Sequence, residues 1–317
     1  MSLINWLKPW ILLGSAALML SACGGGDDPA PPPKPEPTLV DVAKADARFS
    51  ILVEAVVAAD LATTLSGAGP FTVFAPTNDA FAALLTELGV SKEQLLANKD
   101  LLKTVLTYHV LPARVAKANV PAGKAITTVQ GGIFKVDAVA SDLVITDGRN
   151  RKAKITATDV AGSNGLIHVI DKVILPANKN LVETAIATPD LSILVEAVVA
   201  ADLGATLSGT GPFTVFAPTN AAFAALLTEL GVTKAELLAN KALLTKVLTY
   251  HVLSGRVLKA DVPIGTAVNT VQGESLTVDA NLDITDRNGR KARITATDVM
   301  TSNGVVHLID KVILPKQ

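Results

Sequence analysis

The chain carries four histidines, His109, His168, His251 and His307, and one cysteine, Cys23. The histidines fall in pairs: Tyr108-His109 recurs as Tyr250-His251, and His168 recurs as His307, each of the latter with an aspartate three residues on, Asp171 and Asp310. Imidazole beside carboxylate is the raw material of a divalent metal site or a proton relay. The spacing argues against a shared metal, because His168 and Asp171 lie in a run that reads as a strand, where residues i and i+3 point to opposite faces. No metal and no other cofactor is expected. Asp171 and Asp310 are expected instead to accept the hydrogen bonds that a buried carboxylate requires. Nucleophilic and phosphate chemistry find no footing either: there is no Gly-x-Ser-x-Gly elbow, no phosphate loop and no dinucleotide fingerprint. Ser66-Gly67-Ala68-Gly69 precedes a strand and lacks a phosphate-holding lysine. No catalytic set is expected, and the chain reads as a non-enzyme.

The elements that position these residues come in two copies. GPFTVFAPTN occurs from Gly69 to Asn78 and again from Gly211 to Asn220, and the Tyr-His pairs share that offset of 142 residues. Phe71 to Phe74 suit a half-buried strand, and Pro76 removes a backbone donor and ends the pairing. Thr77 or Asn78 can cap a helix whose apolar face is Phe81, Leu84, Leu85 and Leu88, with Gly89 as its stop. Upstream, Thr38 opens a short helix with Leu39 and Val42 on one side, and Phe49, Leu52, Val53 and Val56 stripe a second, repeated at Leu191 to Leu203. Downstream, Gln94 to Val110 reads as one more helix, with Leu95, Leu102, Val105 and Leu106 inward. The period then becomes that of strands near Ala125, Phe134, Leu143 and Lys154, ending in closing strands at Leu166–Pro176 and Val305–Pro315. Asp147-Gly148, Asn164-Gly165, Asn288-Gly289 and Asn303-Gly304 mark turns. The second copy lacks three residues around Val139 to Ser141, so His168 and His307 are 139 apart. These patterns give two α+β domains, 38–176 and 180–315, each helices first and then a sheet. Only Ala177-Asn178-Lys179 separates them, so the domains are expected to touch.

A chain of 317 residues, 49% hydrophobic and 18% charged, can bury a core in each half and is not composed like a disordered one. The formal net charge of -1 leaves no basic footprint for nucleic acid. Lys8 precedes an apolar run from Trp10 to Leu20, too short to span a bilayer comfortably and followed by small residues, which reads as a signal peptide over 1–22. Leu20-Ser21-Ala22-Cys23 resembles the lipobox of bacterial lipoproteins, which implies cleavage before Cys23 and a diacylglycerol on its sulfur. Gly24 after that cysteine resembles an outer-membrane sorting signal, so an outer-membrane protein facing the surface or the periplasm is expected. The glycine-then-proline stretch through Pro37 makes 23–37 a tether, flexible at first and then stiff.

TVFAPTN followed by Ala-Phe, a Tyr-His pair one helix later and a final Asn-Gly-x-x-His-x-x-Asp-Lys-Val-Ile-Leu-Pro block together resemble the fasciclin domain, and both copies carry all three in order. The resemblance implies a wedge-shaped β-sandwich flanked by helices, in surface proteins that adhere to matrix components, polysaccharide or other surface proteins. It carries a candidate adhesive role onto Tyr108, His109, Tyr250 and His251. Read from the residues alone, the same pairs suit an interior, ring packed and imidazole bonded to backbone. Some algal members of the family bind carotenoids, so the alternative reading is a carrier of a small hydrophobic ligand such as a carotenoid or a lipid.

Overall fold

A computed structural model describes residues 35–316. The expected signal peptide over 1–22, the lipid site Cys23 and the tether as far as Lys34 lie outside the described residues. Among the described residues no helix is long and apolar enough to cross a membrane.

The first domain runs through helices α1 (Leu39–Ala45), α2 (Ser50–Ala58) and α3 (Ala62–Ser66), strand β1 (Phe71–Pro76), helices α4 (Asn78–Leu88), α5 (Lys92–Ala97) and α6 (Lys99–Tyr108), and strands β2 (Val110–Leu111), β3 (Ala125–Thr127), β4 (Ile133–Val139), β5 (Asp142–Thr146), β6 (Lys152–Gly162) and β7 (Gly165–Ile170). The helix ends follow from local chemistry. Thr38 and Asp41 form a capping box at α1, and the Thr77 hydroxyl accepts from the Ala80 amide at α4. Gly89, at φ 64, closes α4 in the left-handed conformation that glycine adopts without strain.

Two expectations need correction. The single helix expected from Gln94 to Val110 is two, because Asn98 leaves the helical region (ψ 79) and its side chain caps the Leu101 amide of α6. An asparagine competes with the helix for backbone donors and so favours the cap over the interior. The closing strand is also shorter than expected: β7 ends at Ile170, and Val173, Ile174 and Leu175 are buried outside the sheet. Asp171 therefore lies beyond the strand and is exposed; it accepts from the Lys154 amide at 2.7 Å without being buried.

The seven strands form one sheet in the order β2-β1-β7-β6-β5-β4-β3, with β1 and β7 parallel and the other pairs antiparallel. Strands β1 and β4 stand four places apart, which in a flat sheet is about 19 Å. Yet the rings of Phe74 on β1 and Phe134 on β4 meet edge-to-face with centroids 5.0 Å apart. The sheet therefore folds over into a sandwich, and the register shifts of β6 at Ile155–Ala157 and Ala157–Val160 supply the bend. One core, with Phe74, Tyr108, Phe134 and Ile145, lies between the two halves, and a second, with Leu52, Phe81, Leu102 and Ile167, lies between sheet and helices.

The second domain repeats this with α7 (Leu181–Ile186), α8 (Ser192–Ala200), α9 (Gly204–Ser208), β8 (Phe213–Pro218), α10 (Asn220–Leu230), α11 (Lys234–Ala239), α12 (Lys241–Tyr250), β9 (Val252–Ser254), β10 (Ala267–Asn269), β11 (Ser275–Val278), β12 (Asp283–Thr285), β13 (Lys291–Thr301) and β14 (Gly304–Ile309). The three-residue deletion shortens the hairpin of β11 and β12 and disturbs neither flank. The domains touch. Lys135 Nζ of β4 reaches Asp298 Oδ2 of β13 at 2.7 Å, and the Asn150 amide bridges both the carbonyl and the amide of Met300, at 3.1 and 2.7 Å.

Candidate functional site

Helix α6 delivers the Tyr-His pair to the junction of both cores. Its last residue, Tyr108, is fully buried; the hydroxyl donates to the Ile133 carbonyl and accepts from the Gly148 amide at 2.8 Å. Burial, reinforced by the nearby Asp147 carboxylate, pushes the Tyr108 phenol up. Tyr250 has the corresponding bond, to the Ser275 carbonyl at 3.0 Å, and burial pushes it up to about 12.

His109 is the C-cap of α6, 1% exposed. Its Nδ1 donates to the Val105 carbonyl at 2.7 Å, and since a carbonyl only accepts, that nitrogen carries the proton. Nε2 must then accept, and it does so from the Ile174 amide at 3.1 Å. Protonating Nε2 would set one N–H against another, in a site already closed to water. Burial holds the His109 pKa down at about 4. His251 repeats the pattern with Val247 at 2.8 Å and Ile313 at 3.2 Å, and is likewise held at about 4 by burial.

The other two histidines adopt the opposite tautomer. Nε2 of His168 donates to the Val115 carbonyl at 2.8 Å, and Nδ1 accepts from the Asp159 amide at 3.3 Å. His307 matches it with Val257 and Asp298, at 2.9 and 3.3 Å, and burial pushes its pKa down. All eight ring nitrogens of the four histidines are thus engaged by backbone groups. None has a lone pair to offer a metal, and among the described residues no group of three His, Cys, Asp or Glu could hold one.

The residues picked out in the sequence for adhesion, Tyr108, His109, Tyr250 and His251, present no surface in the folded domains. They tie α6 and α12 to the strands and to the chain that follows the closing strand. A second hub escaped the sequence reading. Asp147, 1% exposed, accepts from the amides of Arg149, Arg151 and Leu175, each at 2.9 Å, and pairs with the Arg151 guanidinium at 2.9 Å. Asp286 does the same for Asn288, Arg290 and Leu314, each at 2.9 Å. Its signal was an aspartate four residues before an arginine in both turns, visible only by aligning the copies at 139 rather than 142. That alignment also pairs Asn150 (φ 63) with Gly289 (φ 73) as the left-handed turn residue, so the two Gly-containing turn dipeptides are not equivalent.

Apolar grooves open beside α1 and α2 and, in the second domain, beside α7 and α8. Their volumes, about 40 and 80 Å³, fall far short of the roughly 300–1,000 Å³ of small-molecule sites.

Residues 47–176 and 189–315 each match the fasciclin domain family. The chain belongs to the fasciclin family. Helices α1 and α7 lie just before the matched segments, yet Leu39 and Leu181 are buried in the two cores, so each fasciclin domain here folds with a helix outside its family match. Relatives include Protein sll1483 of Synechocystis sp., 47% identical over 142 residues, covering 44% of this chain and 73% of that protein. Transforming growth factor-beta-induced protein ig-h3 of Oryctolagus cuniculus is 31% identical over 253 residues, and human periostin 29% over 260; these cover 79% and 81% of this chain. The chain spans only 35% and 30% of those two animal proteins. Among solved structures, a domain pair from the insect cell adhesion molecule Fasciclin I aligns at 19% identity with a TM-score of 0.43, over 87% of this chain and 95% of that one.

Proposed function

We propose that this fasciclin protein is an adhesive module of a bacterial cell envelope, held to the outer membrane by a lipid on Cys23 and binding a matrix or surface component through its exposed faces. The observation that supports this reading is the engagement of every histidine ring nitrogen by backbone, together with the burial of both Tyr-His pairs. With those groups committed to the interior, recognition falls to the surface and to the junction between domains. Two modules held side by side offer two contact areas at a fixed spacing, so weak individual contacts reinforce one another.

The test has two arms. Metabolic labelling with an alkyne fatty acid tags the wild-type protein and leaves Cys23→Ser unlabelled and released from membranes; equal labelling of both removes the anchor. Cells carrying the protein bind an immobilised matrix or polysaccharide coat, and protease shaving of intact cells abolishes both the protein and the binding. Binding that persists after the protein is shaved away, or a protein cleaved only after the outer membrane is permeabilised, rules out the adhesive reading.

A further inference from the structure

The two copies place the same arginine in different company. Arg114 donates from Nη1 to the Gly165 carbonyl at 3.1 Å. Its counterpart Arg256 makes no hydrogen bond and no ion pair among the described residues, although its Nε is buried. An arginine has five donors, and leaving a buried one without an acceptor forfeits its hydration with nothing in return. Arg256 borders a cavity of about 360 Å³ at the junction of the domains, whose walls include Gln130, Gly132, Gly148 and Ala177 from one side and Ser302 from the other. Among the described residues no carboxylate lines this cavity, and Arg256 is the one cation that does. The volume lies within the range of small-molecule sites.

The walls are held in place by the Tyr-His architecture. Gly148 and the neighbouring Ile133, both lining the cavity, are the two backbone partners of the Tyr108 hydroxyl. A Cβ at Gly132 would stand 3.1 Å from the Tyr108 ring, and one at Gly148 would stand 2.2 Å from the Ala177 amide. The floor is therefore bare backbone at close quarters, preorganised by a buried phenol.

We propose that this interdomain cavity binds the acidic group of a saccharide, its oxyanion gripped by the Arg256 fork and its ring hydroxyls met by Gln130 and Ser302. A single guanidinium matches a monoanion, a uronate carboxylate or a sulfate ester, better than a dianionic phosphate. The amide and hydroxyl side chains of the walls suit a polyol rather than an apolar guest. This rests on the adhesive reading and gives it a ligand class.

The experiment titrates the chain from Glu36 to Gln317 with glucuronate, with N-acetylglucosamine 6-sulfate and with neutral glucose, following the Arg256 Nε–H resonance by NMR and heats by calorimetry. A saturable shift with glucuronate or the sulfate, and none with glucose, is expected; whichever acid binds identifies the source of the oxyanion. Arg256→Gln weakens binding at least tenfold, and Ser302→Trp, at an exposed position on the rim, blocks it, while the distant Arg48→Gln leaves it unchanged. Cooperative thermal melts with midpoints no lower than wild type show that these variants are folded. No saturable shift with either acid, or wild-type affinity in folded Arg256→Gln and Ser302→Trp, overturns the proposal. Cells that still adhere with Arg256→Gln sink the cavity and leave adhesion standing; acid binding by a protein that confers no adhesion does the reverse.

Discussion

Acidification between pH 6.5 and 4.5 is expected to destabilise this protein from the inside, and the magnitude can be worked out from two imidazoles. In the unfolded chain His109 and His251 take up a proton near the ordinary pKa of 6.5; in the folded domains they do so only near pH 4. A folded pKa below the unfolded one means that the unfolded state binds more protons throughout the interval. Stability is therefore complete above pH 6.5 and declines as the pH falls towards 4. Each unit is worth 1.36 kcal/mol, so down to pH 4.5 each domain loses about 2.7 kcal/mol, against a typical total of 5–15 kcal/mol. The second domain loses more than this, because burial depresses His307 as well. Carboxylates such as Asp46, held low by the Arg48 side chain, contribute only below the window, since their unfolded value is 3.8.

Urea unfolding at pH 7, 6, 5 and 4.5, followed by circular dichroism, reads this loss as a falling midpoint at constant slope. His109→Gln keeps a donor and an acceptor on the side chain without titrating. It lowers the starting stability by roughly 1–3 kcal/mol through imperfect bonds to Val105 and Ile174, and it removes the His109 share of the pH slope from the first domain while leaving that of His251 in the second. A midpoint that stays level from pH 7 to 4.5, or an NMR titration placing the His109 ring near 6.5 in the folded protein, refutes the tautomer assignment and the burial argument together.

Tyr108→Phe strands the Ile133 carbonyl and the Gly148 amide in a buried site, with an expected loss of about 2–5 kcal/mol read by chemical denaturation. Lys135→Met leaves the Asp298 carboxylate, 2% exposed, without its cation; a loss of about 3–5 kcal/mol and faster proteolysis near Lys179 are expected, and an unchanged melting curve would show the pair to be idle. Gly148→Ala drives a methyl to within 2.2 Å of the Ala177 amide and is expected to broaden the interdomain distances seen by small-angle scattering, whereas Arg287→Ala at the matching place in the second copy is neutral. Gly165→Ala meets the Phe71 carbonyl at 2.1 Å, across the parallel pair of β1 and β7, and is expected to prevent the first domain from folding, as read by its missing amide signals.

Local patterns carried most of the fold. The threonine cap and glycine stop of α4 are properties of adjacent residues and stand where the sequence puts them, and Phe81 and Leu84 of its apolar face are buried, whereas Leu85 is half-buried and Leu88 at the last turn is exposed. The break at Asn98 was open to the same reasoning, but the apolar spacing on either side of it outweighed one asparagine. The tail after β7 misled for a different cause. A run with apolar residues on both faces reads as a buried strand, and here Ile174 and Leu175 are buried by bonding their amides to His109 and Asp147 rather than to a neighbouring strand. Those partners lie 65 and 28 residues away in sequence, beyond the reach of any periodicity. The partners of the histidines were hidden for the same reason, since a carbonyl acceptor has no sequence signature.

The duplication itself separates what the fold needs from what the junction needs. Two like domains share their interior demands, so the backbone bonds of the four histidines and of the Asp147 and Asp286 hubs recur, although the Arg151 guanidinium pairs with Asp147 while that of Arg290 reaches Glu229 instead. Some departures from the repeat fall where one copy has a neighbour that the other lacks. Gly148, opposite Arg287 in the second copy, is bare because the connector passes within reach of any Cβ. Asn150 replaces the glycine found at 289, and its amide binds Met300 of the other domain. Lys135 stands where the second copy has Thr277, and it carries the ion pair to Asp298. Arg256 reverses the pattern: the residue is the same as Arg114, yet it makes no bond like that of Arg114 to Gly165, although Gly304 stands at the matching place beside Phe213. A side chain that the fold satisfies in one copy and leaves unpaired in the other, beside a cavity, has its chemistry turned outward. Carrying a neutral or shorter residue at position 256 would relieve the buried donor at no cost to the fold, so selection for stability alone would favour Arg256→Gln, and a higher melting temperature for that variant is the stability counterpart of its expected loss of ligand.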